Sequence, residues 1–152
     1  VWYDAQCLSL AIYIDSIQLA HKIINRTLDR LDQQSNEEAL FPLELERTNS
    51  FHYSIFNLNA FNIVAQLGEE VHVNIWDTAT VRGHSLRKSF DAVLPYLKQE
   101  KKWTGPQLTS FNVQDGFHVL LRAYQKYKCS NCMTSIQQIA GSDYSKLLLQ
   151  LL

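Results

Sequence analysis

Apolar residues recur along most of this chain at steps of three and four, the spacing that gathers them on one face of an α-helix. Trp2, Ala5, Leu8, Leu10, Ala11, Ile12 and Ile14 predict a strongly apolar helix over residues 2–14. Asp15-Ser16 can cap a second helix, in which Leu19, Ile23, Ile24, Leu28 and Leu31 run to Gln34. A polar link over residues 35–38 leads into an extended segment, Leu40-Phe-Pro-Leu-Glu, where Pro42 forbids a helix interior. A third helix is predicted from Ser50 to Leu67, stopped by Gly68 as its C′ residue. Residues 71–82 read as irregular, with Val73, Ile75 and Trp76 plugging a gap. A fourth helix follows Gly83-His84-Ser85 and carries Leu86, Phe90, Val93, Leu94 and Leu97, with Pro95 set to kink or shorten it. Trp103-Thr-Gly105-Pro106 is a loop, a fifth helix spans Val113 to Tyr127, and one or two short helices follow from Met133 to Leu152.

Helices joined by alternating short and long links predict an all-α fold of antiparallel αα-hairpins. Such hairpins stack into a solenoid or close into an α/α toroid, and the lack of a fixed-period repeat counts against the solenoid. The expectation is a single domain over residues 1–152 forming part of an incomplete toroid, with the very apolar first helix at its unpaired face.

Composition narrows the function classes. Three Pro and five Gly disfavour an all-β fold. A net charge of −1 advertises no polyanion globally, so a site for one must gather Arg and Lys locally. The balanced charge and the absence of a recognised module argue against nucleic acid. No apolar run approaches the ~18–20 residues of a membrane-spanning helix. Cys129-Ser-Asn-Cys132 has metal or redox spacing, but it is one pair without a second, so a loop disulfide or two inert thiols are the better readings. Asn25-Arg26-Thr27 is a glycosylation sequon inside a predicted helix, a weak pointer to secretion.

Several blocks carry a family resemblance. Trp2-Tyr3-Asp4, Pro42-Leu-Glu-Leu-Glu-Arg47, Ser50-Phe-His-Tyr53-Ser, Phe56-Asn57-Leu58, Ile75-Trp76-Asp77 and Ser85-Leu-Arg-Lys88 stand in the order found in alginate lyases. Over residues 1–97 the chain resembles that family, which cuts polymannuronate by β-elimination. In the family an Asn-Asn-His motif closely precedes Trp-Tyr-Asp, whereas this chain opens on Val1-Trp2-Tyr3-Asp4. The resemblance therefore implies the C-terminal part of a lyase, carrying one half of its site and poorly active alone.

The resemblance assigns the catalytic roles to Tyr53 and Arg47. A uronate C5 proton becomes accessible once the adjoining carboxylate is neutralised. In mannuronate that proton and the O4 leaving group share a face, so one residue can serve as base and then acid. A phenol is donor and acceptor in one group. Arg47 would sit beside Tyr53, tuning it or gripping a carboxylate bidentately. Trp2 and Tyr3 are candidates for stacking on sugar, Asn57 for orienting the phenol from one helical turn away, and His84 and Arg87 for contacting substrate. Arg82, Arg87 and Lys88 could form a basic rim. His52 reads as support of the fold, turned ~100° from Tyr53, and His118 as a satisfied core histidine. His21 and His72 read as surface residues. No metal or cofactor is implied. The partner is an acidic polysaccharide, alginate or a related polyuronate, met outside the cell or in the periplasm. The alternatives are a non-catalytic protein gripping such a polymer through Arg47, Arg82 and Arg87, or a helical protein-interaction module.

Overall fold

The computed structural model describes residues 1–129 and 131–140. The described residues form seven α-helices: α1 Trp2–Tyr13, α2 Ile17–Gln34, α3 Pro42–Leu45, α4 Ser50–Glu70, α5 Leu86–Leu97, α6 Phe117–Tyr127 and α7 Cys132–Ala140. A 3₁₀ turn, Val113–Gly116, leads into α6. No strand occurs among the described residues, only a lone antiparallel bridge between Asn49 and Gln107. The expected helices over residues 141–152 lie outside the described residues. No described helix is long and apolar enough to cross a membrane.

α1 and α2 form an antiparallel hairpin closed by Asp15, whose φ is +55°. A buried ion cluster ties the pair together. Asp4 is fully buried (0% exposed), and Arg26 and Arg30, one turn apart on α2, reach its two oxygens at 2.7 and 2.8 Å. A carboxylate without such partners would be strongly disfavoured at that depth. α4 is the central helix, and α1 lies along it with the same chain direction. Trp2 stands 4.9 Å from Phe56 near the first turns, while Leu10 and Leu67 line one groove toward the far end. α5 runs back against α4, so that Tyr96 in its last turn meets Phe51 in the first turn of α4 at 5.9 Å. α6 and α7 complete the row, with Tyr127 packed on Trp76 and Phe90. These antiparallel hairpins form part of an α/α toroid. Its apolar side remains open at the α1–α2 turn, where Leu10, Tyr13, Ile14, Ile17 and Leu19 are exposed.

The structure corrects several sequence expectations. Pro42 does not hold an extended segment but opens a one-turn helix, at a first-turn position where its missing N–H costs nothing. Gly68 does not stop α4, which continues to Glu70. It lies inside the helix because a Cβ there would come within 2.8 Å of the Val73 carbonyl oxygen, where the chain folds back. The fifth helix starts at Phe117 rather than Val113, after the 3₁₀ turn. Ser16 stands at the N-cap of α2, but its side chain makes no capping hydrogen bond. Pro95 sits in α5 two residues before its end. Cys129 and Cys132 are bridged by a disulfide, with Cα atoms 5.5 Å apart, which resolves the two readings of that pair.

Candidate active site at the start of α4

The start of α4 is held by a strap from a distant part of the chain. The Ser50 N–H and hydroxyl both donate to the Pro106 carbonyl, at 2.9 and 2.7 Å. The same hydroxyl accepts from Trp103 Nε1 at 2.8 Å. The Phe51 N–H donates to Gln107 Oε1 at 3.1 Å, the Leu108 N–H to the Thr48 carbonyl at 2.8 Å, and the Thr109 N–H to Asn49 Oδ1 at 3.0 Å. A helix start leaves orphan N–H donors, and the strap satisfies two of them. Beneath it, the buried Phe51 ring packs against Trp103, Tyr96 and Phe111 at 4.9, 5.9 and 4.5 Å. Gly105 lets the strap approach, since a Cβ there would stand 2.6 Å from Trp103 Nε1 and 2.8 Å from Ser50 Oγ.

Two residues beyond this anchored turn, Tyr53 is half-buried, with its ring under the Arg47 guanidinium. The guanidinium carbon lies 3.5 Å from the ring centroid. Arg47 follows the short α3, and its Nη1 is 3.8 Å from Glu44. A stacked guanidinium keeps its N–H donors in its own plane, so the edge of Arg47 stays available for a carboxylate. The sequence expectation placed Arg47 beside the phenol; the geometry is a face-on stack.

His52 completes the local group. Its ring meets Tyr53 edge to face at 5.5 Å, and its Nδ1 is 3.4 Å from Asp115 in the 3₁₀ turn. The step of ~100° separates the two side chains at their Cα atoms without keeping the rings apart. Trp2, His52, Phe56, Asn59, Asp115 and His118 line a groove of about 340 Å³ beside this group. His118 is exposed at that groove rather than buried in the core, because α6 buries Phe117, Leu120, Leu121 and Ala123 and leaves His118 outside that face. Partial burial of the ring, followed by the neighbouring Arg122, lowers its pKa, favouring the neutral imidazole.

The other expected site residues are spread more widely. Asn57 is buried on α4, one turn after Tyr53. Tyr3 is 66% exposed and turned toward α2, where Arg26 lies 5.9 Å from its ring centre. His84 is 7% exposed, in the loop before α5, where its backbone N–H donates to Thr80 Oγ1. Arg87 pairs with Asp77 at 3.7 Å and covers the Tyr127 ring at 5.3 Å. Arg82 is held by Asp32, which also accepts from the Thr80 hydroxyl; that bond, more than any other influence, lowers the Asp32 pKa. The antiparallel course of α5 sets Arg87 about nine residues of helix, roughly 14 Å, from the Tyr96–Phe51 contact. The structure therefore brings together Arg47, Tyr53 and His52, with Trp2 in the groove that His52 also lines, and it leaves His84 and Arg87 toward the other end of α4.

Sequence reasoning missed Asp4, Asp115 and the 103–109 strap. The i,i+4 pair Arg26 and Arg30 was a usable signal for a buried acid nearby. Nothing local marked Gln107 or Asp115. Among the described residues no group of three or more His, Cys, Asp or Glu is arranged to hold a metal ion.

The sequence profile of the family described as Alginate lyase matches residues 1–103. No curated protein matches the chain. Among solved structures, the crystal structure of an alginate lyase from Bacteroides ovatus is similar, with a TM-score of 0.81 and 23% sequence identity, covering 93% of this chain and 38% of that one. The chain thus spans well under half the length of that enzyme, and at this identity the likeness shows a shared fold.

Proposed function

Since this chain belongs to the alginate lyase family, we propose that it contributes the Tyr53 side of a polysaccharide lyase site acting on alginate or a related polyuronate. The single observation that supports this most is the Arg47 guanidinium stacked 3.5 Å from the centre of the Tyr53 ring. Arg47 offers its free edge to the uronate carboxylate, which withdraws charge from C5. Tyr53, acting as its phenolate, takes the C5 proton and becomes a phenol; the electron pair forms the C4–C5 double bond as the C4–O4 bond breaks. The same phenol returns the proton to the departing O4. The products are a new chain end and an unsaturated uronate. Of the expected substrate set, Asn57 lies one helical turn from Tyr53, and Trp2 lines a groove with His52. Tyr3, His84 and Arg87 would meet a polymer only beyond the reacting unit.

The chain is proposed to belong to a single domain and to work outside the cytoplasm. The Cys129–Cys132 disulfide supports the second point, because such bridges persist in oxidising compartments.

Tyr53→Phe, made in the full-length protein, tests the reading. The expected outcome is loss of the ultraviolet absorbance of the unsaturated product with helical circular dichroism unchanged. A folded Tyr53→Phe protein that still cuts polymannuronate removes Tyr53 from the mechanism. Saturable polymer binding by the parent without any unsaturated product would instead favour a binding protein on a lyase scaffold.

A further inference from the structure

Asn25-Arg26-Thr27 is the one glycosylation sequon in the chain, and the lyase chemistry leaves it without a role. It falls in the middle of α2, whose buried face is made by Ala20, Ile23, Ile24, Thr27 and Leu31. Asn25 lies on the opposite side. At helical spacing it joins Gln18, Lys22 and Asp29, and all four are exposed. It also stands at the edge of a groove of about 240 Å³ between α2 and residues 79–81. Leu28 and Val81 share that groove, and Val81 is fully exposed. The folded chain therefore has room for a bulky group on the Asn25 amide. Thr27 is in the opposite state. It is 0% exposed, and its hydroxyl donates to the Ile23 carbonyl at 3.0 Å. The half of the sequon that takes the sugar faces water, while the half that a transferase must read is shut inside the fold.

We propose that Asn25 carries an N-linked glycan, attached while α2 is still unfolded. The glycan requires the placement outside the cytoplasm proposed above, which the Cys129–Cys132 bridge supports, and it is independent of the lyase chemistry. The donor is an oligosaccharide joined to a lipid through a diphosphate. Asn25 Nδ2 forms a bond to C1 of the first N-acetylhexosamine as the C1–O bond to the diphosphate breaks. The lipid diphosphate leaves with the electron pair, and the amide proton passes to a base of the transferase. Before α2 forms, an extended chain can present Asn25 and Thr27 together. Once it forms, Thr27 closes into the core and Asn25 holds its sugar at the surface, where a bulky, solubilising group costs the packing nothing.

The test produces the full-length protein in a eukaryotic secretory host and reads the peptide containing residue 25 by mass spectrometry. The expected result is a glycan on that peptide, removed by peptide N-glycosidase with conversion of Asn25 to aspartate. Asn25→Gln and Thr27→Val are each expected to abolish it. Asn25 is exposed, so its replacement spares the fold. Attachment precedes folding, so Thr27→Val carries its result even if α2 is weakened, and chain retained in the cell is read in the same way. Protein folded without the glycan, then offered to the transferase with its lipid-linked donor, is expected to stay bare; modification of that folded protein overturns the order of events. Secreted chain with the Cys129–Cys132 bridge formed and Asn25 bare overturns the glycan alone. A chain that stays in the cytosol with both thiols free overturns the placement outside the cytoplasm and the glycan with it.

Discussion

At the scale of single residues, a cation and a carboxylate do different jobs. Arg47 is half exposed and stacked on Tyr53, so its charge contributes little to stability, about 0.5–1 kcal/mol for a cation–π contact of this kind. Its planar shape matters more. Arg47→Lys keeps the charge but loses both the stack and the bidentate edge. The expected result is a fall of at least about tenfold in kcat/KM on polymannuronate with an unchanged melting temperature. Full activity in the lysine variant would mean that charge alone suffices. Asp4 is the opposite case. It is buried, and Arg26 and Arg30 are its neutralising partners. Asp4→Asn leaves two guanidinium groups facing an amide. Because both are more than a third exposed, they can turn to water, so the expected loss is about 1–3 kcal/mol rather than the larger cost of a stranded buried charge. Urea denaturation measures it, and an unchanged midpoint would show that the cluster adds no stability.

At the scale of elements, the placement of Tyr53 depends on how α4 begins. Asn49 and Ser50 look like an ordinary helix start in the sequence, with polar residues ahead of an apolar run. In the structure Ser50 faces inward and is fully buried, accepting from Trp103 and donating to Pro106. Ser50→Ala removes both bonds and leaves the Trp103 N–H without an acceptor. The expected cost is about 1–3 kcal/mol. Activity should fall as well, because the turn that aims Tyr53 loses its anchor. A variant that is destabilised yet fully active would separate the strap from the site. Gly68 makes a related point. It looked like a stop signal, but the close return of the chain at Val73, not local backbone preference, required the glycine.

At the scale of the whole molecule, the hairpins stack around α4, and the proposed site lies at one end of that helix. The Cys129–Cys132 bridge lies elsewhere, at the junction of α6 and α7. It closes a very short loop, so the chain-entropy effect is small, about 2 kcal/mol or less. Cys132→Ser is expected to lower stability by no more than that and to leave kcat on polymannuronate unchanged. A loss of activity at full helical content would show that the α6–α7 junction is coupled to the site.

The sequence by itself determined the long helices and most of their apolar faces, since a 3.6-residue period needs only local order to be read. The Arg47–Tyr53 pair was legible through the family resemblance of the blocks that hold it; six residues of chain allow the stack without fixing it. What tertiary structure alone decided was everything joined across long separations. The strap from residues 103–109 onto Ser50 and Phe51, the Asp115 contact to His52, and the burial of Asp4 between two arginines leave no periodic trace. The same holds for His84 and Arg87, adjacent in sequence to a matching block yet carried toward the far end of α4 by the antiparallel course of α5. Side-chain partners are chosen by packing after the elements meet, and that choice follows the path of the chain in space rather than its order.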